Sequence, residues 1–187
     1  MFLYLTNPLA CQARSARTSP SILLGTTGIG DFFRRVYELF KTSEMSVVIT
    51  TGAQVGEMEP ITGKIYVEPY LDGDLVMEEC DLVVCHGGNG TIYQALQSGK
   101  PVIGIPTIPD QAYNMRRVEA LGVGRSITWK EFNSNPKVLL HAIDLVLTTP
   151  SFTEKARWMQ AILKTYHAEK TAADIIERYM ENKRLKP

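Results

Sequence analysis

Leu82-Val83-Val84-Cys85-His86-Gly87-Gly88-Asn89-Gly90-Thr91 is the stretch that decides the fold. Its first four residues are apolar without alternation, as in a short strand buried on both faces. Three glycines within four residues follow, and a helical pattern (Ile92, Ala95, Leu96) begins at once. Glycines cost backbone entropy, so a cluster at a strand-to-helix junction needs a reason. Close approach of a ligand to the backbone is one. A helix N-terminus carries unpaired N–H groups and a partial positive charge, which suits a phosphate. Thr91 adds a hydroxyl in the first turn, and His86 adds a donor at the carboxyl end of the strand. Alone, the histidine would read as a satisfied core residue and the glycines as a tight turn. The two features together favour an anion site.

The same alternation extends in both directions. Short apolar runs predict strands at Ile22–Leu24, Val47–Thr50, Ile65–Val67, Leu82–Cys85 and Val102–Ile105, with a weaker one at Arg125–Ile127. Helical periodicity falls between them. Residues 31–41 place Phe32, Phe33, Val36, Leu39 and Phe40 on one stripe. Residues 90–98 and 110–121 repeat the pattern. Strand then helix, repeated, implies a doubly wound parallel sheet of about six strands in an α/β domain. The last third turns helical, over 136–148, 152–166 and 169–182. Residues 1–20 read as a linker or truncated remnant, and 21–187 as the domain.

Composition removes several function classes. The chain has 187 residues, 20 basic and 20 acidic, so its net charge is zero. Nucleic-acid binders usually show a basic excess, so none is expected as a partner. No apolar run approaches the ~18 residues that suggest a membrane span. The three cysteines, Cys11, Cys80 and Cys85, lack metal-type spacing. They read as reduced thiols in a cytoplasmic protein, with membrane association only through a partner.

Other motifs compete with the central one. Gly88-Asn89-Gly90 begins a dinucleotide pattern, but Tyr93 fills the third glycine position. Gly28-Ile29-Gly30 fails likewise at Phe33, and no Lys follows either set as a Walker loop requires. Asp72-Gly73-Asp74 could hold a divalent ion beside a diphosphate. Leu75, Val76 and Met77 follow directly, so a helix cap is the simpler role, and no metal ligand is expected. Gly25–Gly30 is a second Gly-rich turn between strand and helix. The stretch Gly99-Lys100-Pro101-Val102-Ile103-Gly104-Ile105-Pro106 runs from strand to loop, and Asp110-Gln111 then opens a helix. Asp110 reads either as an N-cap or, with Gln111, as a pair that bonds sugar hydroxyls.

The ordered set His86-Gly87-Gly88-Asn89-Gly90-Thr91, Ala95-Leu96, Gly99-Lys100-Pro101, Pro106, Asp110-Gln111, Asn114 and Gly122-Val123-Gly124 resembles the UDP-glycosyltransferase superfamily. The resemblance covers about residues 21–148. It implies a Rossmann-like sheet forming the C-terminal, donor-binding half of the GT-B architecture. It further implies that His86 contacts the donor diphosphate and that Gly87, Gly88, Asn89, Gly90 and Thr91 form the phosphate-binding helix start. Thr26, Thr27 and Gly28 match the turn that closes over the diphosphate. Tyr70 falls where relatives often stack Trp on the base, and Gln94 where they often use Glu toward the ribose. Asp110 and Gln111 match the pair that holds the sugar.

The implied activity is hexosyl transfer, inverting and metal-independent, from a nucleotide-diphosphate sugar of UDP or TDP type. The nucleotide sugar is a co-substrate, and no cofactor is implied. Family enzymes draw their acceptor pocket and catalytic base from an amino-terminal domain for which this chain has no room. No catalytic residue is therefore expected here, and an acceptor-binding domain or subunit is the expected partner. A non-catalytic nucleotide-sugar-binding module and an epimerase of the same architecture are the alternatives.

Overall fold

The four residues Leu82–Cys85 form the centre of a six-stranded sheet, and every one is buried. The computed structural model describes residues 21–24, 30–50 and 58–184. Its strands are β1 (Ser21–Leu24), β2 (Ser46–Thr50), β3 (Ile65–Glu68), β4 (Leu82–Cys85), β5 (Val102–Gly104) and β6 (Gly124–Ser126). All pairs are parallel, in the order β3-β2-β1-β4-β5-β6. The chain winds outward from β1 to β3, then crosses to β4 and winds the other way. Ile22 pairs with Leu82 and Leu24 with Val84 at the reversal. In open α/β sheets ligands bind at this switch point, outside the carboxyl ends of the strands.

Eight helices are described: α1 (Gly30–Lys41), α2 (Gly73–Glu79), α3 (Asn89–Gln97), α4 (Pro109–Leu121), α5 (Trp129–Ser134), α6 (Val138–Thr148), α7 (Pro150–Leu163) and α8 (Ala168–Arg184). Strand side chains alternate between faces, and the core divides accordingly. Leu82 and Val84 face α1, α5 and α6, with Phe40, Phe132 and Ile143 fully buried there. Val83 and Cys85 face α2, α3, α4 and α7, with Met77, Ala95, Met115 and Ala156 buried among them.

Two glycines are required by close packing. A Cβ on Gly124 would overlap the carbonyl oxygen of Val102 in the neighbouring strand. A Cβ on Gly104 would overlap the thioether of Met115. Gly122 ends α4 in the left-handed conformation, φ 69°, and its N–H bonds the carbonyls of Glu119 and Val118.

Several strand ends differ by one residue from the sequence expectations, as at β5, which stops at Gly104 and not Ile105, and three further departures have a local cause. Helix α5 was not expected. Thr128 and Glu131 form a reciprocal capping box at its start, and Phe132 packs its ring 5.2 Å from Phe32. The Thr128 hydroxyl and N–H both bond the Glu131 carboxylate and hold it below the usual carboxylate range. Strand β6 begins one residue earlier than expected, because Gly124 can approach β5. The helix expected over 152–166 is Pro150–Leu163, with Pro in its first turn, where a missing N–H costs nothing.

Candidate functional site

Strand β4 delivers Cys85 and then His86 to the carboxyl edge of the sheet, beside β1. Cys85 is fully buried and its Sγ accepts from the Gly87 N–H at 3.3 Å. Burial pushes the thiol up to about 11, so it is protonated and serves as packing. Gly87 turns the chain with φ 88°, a conformation that favours glycine. It also lies on helix α4: a Cβ there would come within 2.8 Å of Met115 Cγ and 3.0 Å of the Gln111 carbonyl.

Gly88 caps α3 with extended backbone and no side-chain capping bond. The amides of Gly88, Asn89, Gly90 and Thr91 have no hydrogen-bond partner among the described residues; the ladder starts at Ile92 N–H to the Gly88 carbonyl, 3.1 Å. Four consecutive N–H groups therefore face outward at the positive end of a helix dipole. The His86 ring stands over Gly88, where a Cβ would strike its Nε2. The ring is half-buried, and desolvation holds its pKa below the ordinary value. The lowered value keeps the ring neutral near pH 7. Among the described residues, nothing lies within 4 Å of where a side chain on Gly90 would begin.

Helix α4 supplies the next wall. Asn114 Nδ2 donates to the Gly87 carbonyl at 3.0 Å. Gln111 is buried, and its Oε1 accepts from the Thr107 N–H at 2.9 Å and hydroxyl at 3.1 Å. This pins the loop between β5 and α4. Ile108, not Asp110, is the N-cap residue. Asp110 lies in the first turn, exposed, with no partner among the described residues.

On the far side, Asp72 caps α2 by accepting from the Asp74 and Leu75 amides. Gln94 Nε2 donates to Asp74 Oδ1 at 3.2 Å and ties α3 to α2. Both acids of the Asp72-Gly73-Asp74 motif thus have structural work. Tyr70, two residues before this cap, is 72% exposed.

A model of the glycosyltransferase family 28 C-terminal domain matches residues 21–179. The chain belongs to that family. UDP-sugar-dependent glycosyltransferase 52 of Dictyostelium discoideum is 34% identical over 110 residues, covering 59% of this chain and 6% of that protein. Among solved structures, the glycotransferase of kitacinnamycin superposes with a TM-score of 0.76 at 27% identity. It covers 86% of this chain and 43% of that one. Streptomyces sp. SF2575 glycosyltransferase SsfS6, complexed with thymidine diphosphate, has a TM-score of 0.68 at 22% identity. It covers 88% of this chain and 42% of that one. The chain spans less than half the length of each. Its sheet is the Rossmann-like C-terminal half of the GT-B architecture.

In this family 28 domain the structure brings His86, the Gly87–Thr91 turn and the start of α4 to one edge of the sheet. Gln94 is tied to α2 through Asp74, and Tyr70 precedes the cap of that helix by two residues. Thr26, Thr27 and Gly28 lie outside the described residues. Asn114 and Thr107 carry contacts at this edge that sequence reasoning missed. Asn114 stood in the motif, and its single carboxamide one turn from Asp110 was the available signal. No helix among the described residues is long and apolar enough to cross a membrane.

Proposed function

We propose that this domain binds a nucleoside-diphosphate sugar, of UDP or TDP type, and stabilises the diphosphate leaving group in inverting glycosyl transfer. The observation that carries the reading is the row of amides at Gly88–Thr91, without partners among the described residues, beside the neutral His86. Such preorganised donors are worth a few kcal/mol each where charge develops. An acceptor oxygen attacks the anomeric carbon, the bond from that carbon to the phosphate oxygen breaks, and the nucleoside diphosphate leaves with the electron pair. His86 and the amides hold the growing charge. Asp110 and Gln111 hold the sugar, Gln94 the ribose and Tyr70 the base, with Thr26, Thr27 and Gly28 closing over the phosphates. The thymidine diphosphate carried by SsfS6 supports this ligand class.

The acceptor site and the base that takes its proton are proposed to come from another domain or subunit. Helix α8 exposes Ile175, Ile176, Tyr179 and Met180, and this stripe is the surface proposed to meet it. The test of the donor reading is calorimetry with UDP and with UDP-sugars. Binding is expected, unchanged by EDTA, because backbone amides take the place of a cation. Binding abolished by EDTA and restored by Mn2+ would reverse the metal-independent reading and turn Asp72 and Asp74 into ligands.

Asp110→Ala is expected to weaken a bound UDP-sugar about tenfold and to leave UDP itself nearly unchanged, since only the sugar loses a charged acceptor. The exposed side chain can go without harm to the fold. Equal losses for UDP and UDP-sugar would remove Asp110 from the sugar site. Gln111→Ala also frees Thr107, so its loss of affinity comes with a lower melting temperature.

A further inference from the structure

We propose that Asn114 is a positioning residue that sets the orientation of the Gly87–Gly88 peptide, and with it the first amide offered to a bound diphosphate. The inference rests on the donor-binding reading above. Residues 87 and 88 are both glycine, so rotation about Gly87 ψ and Gly88 φ, which turns their shared peptide over, meets little steric resistance. Met115 and the Gln111 carbonyl confine the Gly87 Cα from one side. Neither holds the plane of the peptide that follows.

The Asn114 carboxamide does. Its Nδ2 donates to the Gly87 oxygen at 3.0 Å across 27 residues of chain. Only the amino end of a carboxamide can pair with a carbonyl oxygen, so the chemistry fixes the side chain as well. In a trans peptide the C=O and N–H point in opposite directions. Tying the Gly87 carbonyl to α4 therefore turns the Gly88 N–H away from α4. That N–H is the first of the four amides without a partner among the described residues. A flipped peptide would replace this donor with a carbonyl oxygen, which repels a phosphate. Helix α4 thus orders the phosphate turn through Asn114 and the sugar loop through Gln111. The two subsites share one rigid support.

Three proteins test this: the wild type, Asn114→Leu and Asn114→Asp. Their affinity for uridine diphosphate is measured by calorimetry at pH 7.5 and pH 5, with thermal melting alongside. Asn114→Leu is expected to bind about tenfold more weakly at both pH values, the loss of one hydrogen bond's ordering. Asn114→Asp keeps the size and shape. At pH 7.5 its carboxylate faces a carbonyl oxygen, and the loss is at least as large. A carboxyl that is half-buried beside an oxygen titrates above its ordinary value. At pH 5 it gains a proton, donates it to the Gly87 oxygen, and recovers most of the deficit relative to wild type. His86 and the nucleotide titrate in all three proteins, so the ratio to wild type removes them. A general packing defect would give Asn114→Asp the same deficit at both pH values. That result, or wild-type affinity in both variants, overturns the role of Asn114 alone. Failure of the wild type to bind uridine diphosphate overturns the donor-binding reading beneath it. If Asn114→Leu does not fold, the pH response of Asn114→Asp decides by itself.

Discussion

Gly124→Ala is expected to cost the domain roughly 3 kcal/mol, at the upper end of overpacking effects. The added methyl would meet the Val102 carbonyl, a backbone atom in the adjacent strand. Side chains can rotate away from a clash, but a strand cannot. Either β6 shifts and breaks its register with β5, or β5 moves and disturbs Val102, which is fully buried. Urea denaturation measures the loss. With a slope of ~1–3 kcal/mol/M, the midpoint should fall by at least about 1 M. A midpoint near that of the wild type would mean that β6 is free to slide, and that Gly124 is not required by packing.

His86→Ala is the substitution with the largest expected effect on binding. UDP affinity should fall by ~1.5–3 kcal/mol, the range for a hydrogen bond to a charged group. That is a change of roughly 10- to 150-fold. The domain should stay folded, because the ring is half-buried and stands over Gly88 rather than within either core cluster. The pH dependence follows from the sign of the shift. Burial lowers the His86 pKa in the free protein. The unfolded chain therefore binds more protons as pH falls below its ordinary value of 6.5. The ring's contribution to stability declines through that window. A bound diphosphate acts the other way and favours the protonated ring, so the ratio of wild-type to His86→Ala affinity for UDP should rise as pH falls from 7.5 toward 6. Protonation of the nucleotide's own terminal phosphate is common to both proteins and cancels in that ratio. Identical pH profiles for the two proteins would return His86 to a packing role.

Most of the sheet was legible because buried parallel strands leave little choice of residue. Leu82–Cys85 coincides with its expected bounds, and its glycines fixed where the helix begins. The errors have local causes. Helix α5 is only six residues long, too short for periodicity to show, and its sign was the Thr128-to-Glu131 spacing. Strand β6 was displaced because Gly124 reads as a turn residue, whereas its missing side chain admits a neighbouring strand. At the candidate site, spacing could indicate Asp110 and Gln111 as a pair. It could not show that Gln111 turns its oxygen to Thr107 while Asp110 stays exposed. Nor could it show that Asn114 reaches back to Gly87, since that contact depends on how α4 packs beside the β4–α3 turn.

The thioether of Met115, fully buried against Gly87 and Gly104, constrains the order in which this domain can change. A larger residue at 104 is admitted only after position 115 has become smaller. Taken in the reverse order, the first step meets an occupied core. Shrinking Met115 first opens a cavity, whose penalty a methyl at 104 would then partly relieve. The two substitutions are therefore non-additive, and one path between the end states is passable while the other is blocked. Through Gly87, the same side chain extends that dependence to the phosphate turn. Mutational histories here should record changes in the packing beneath the turn before changes in the sheet beside it.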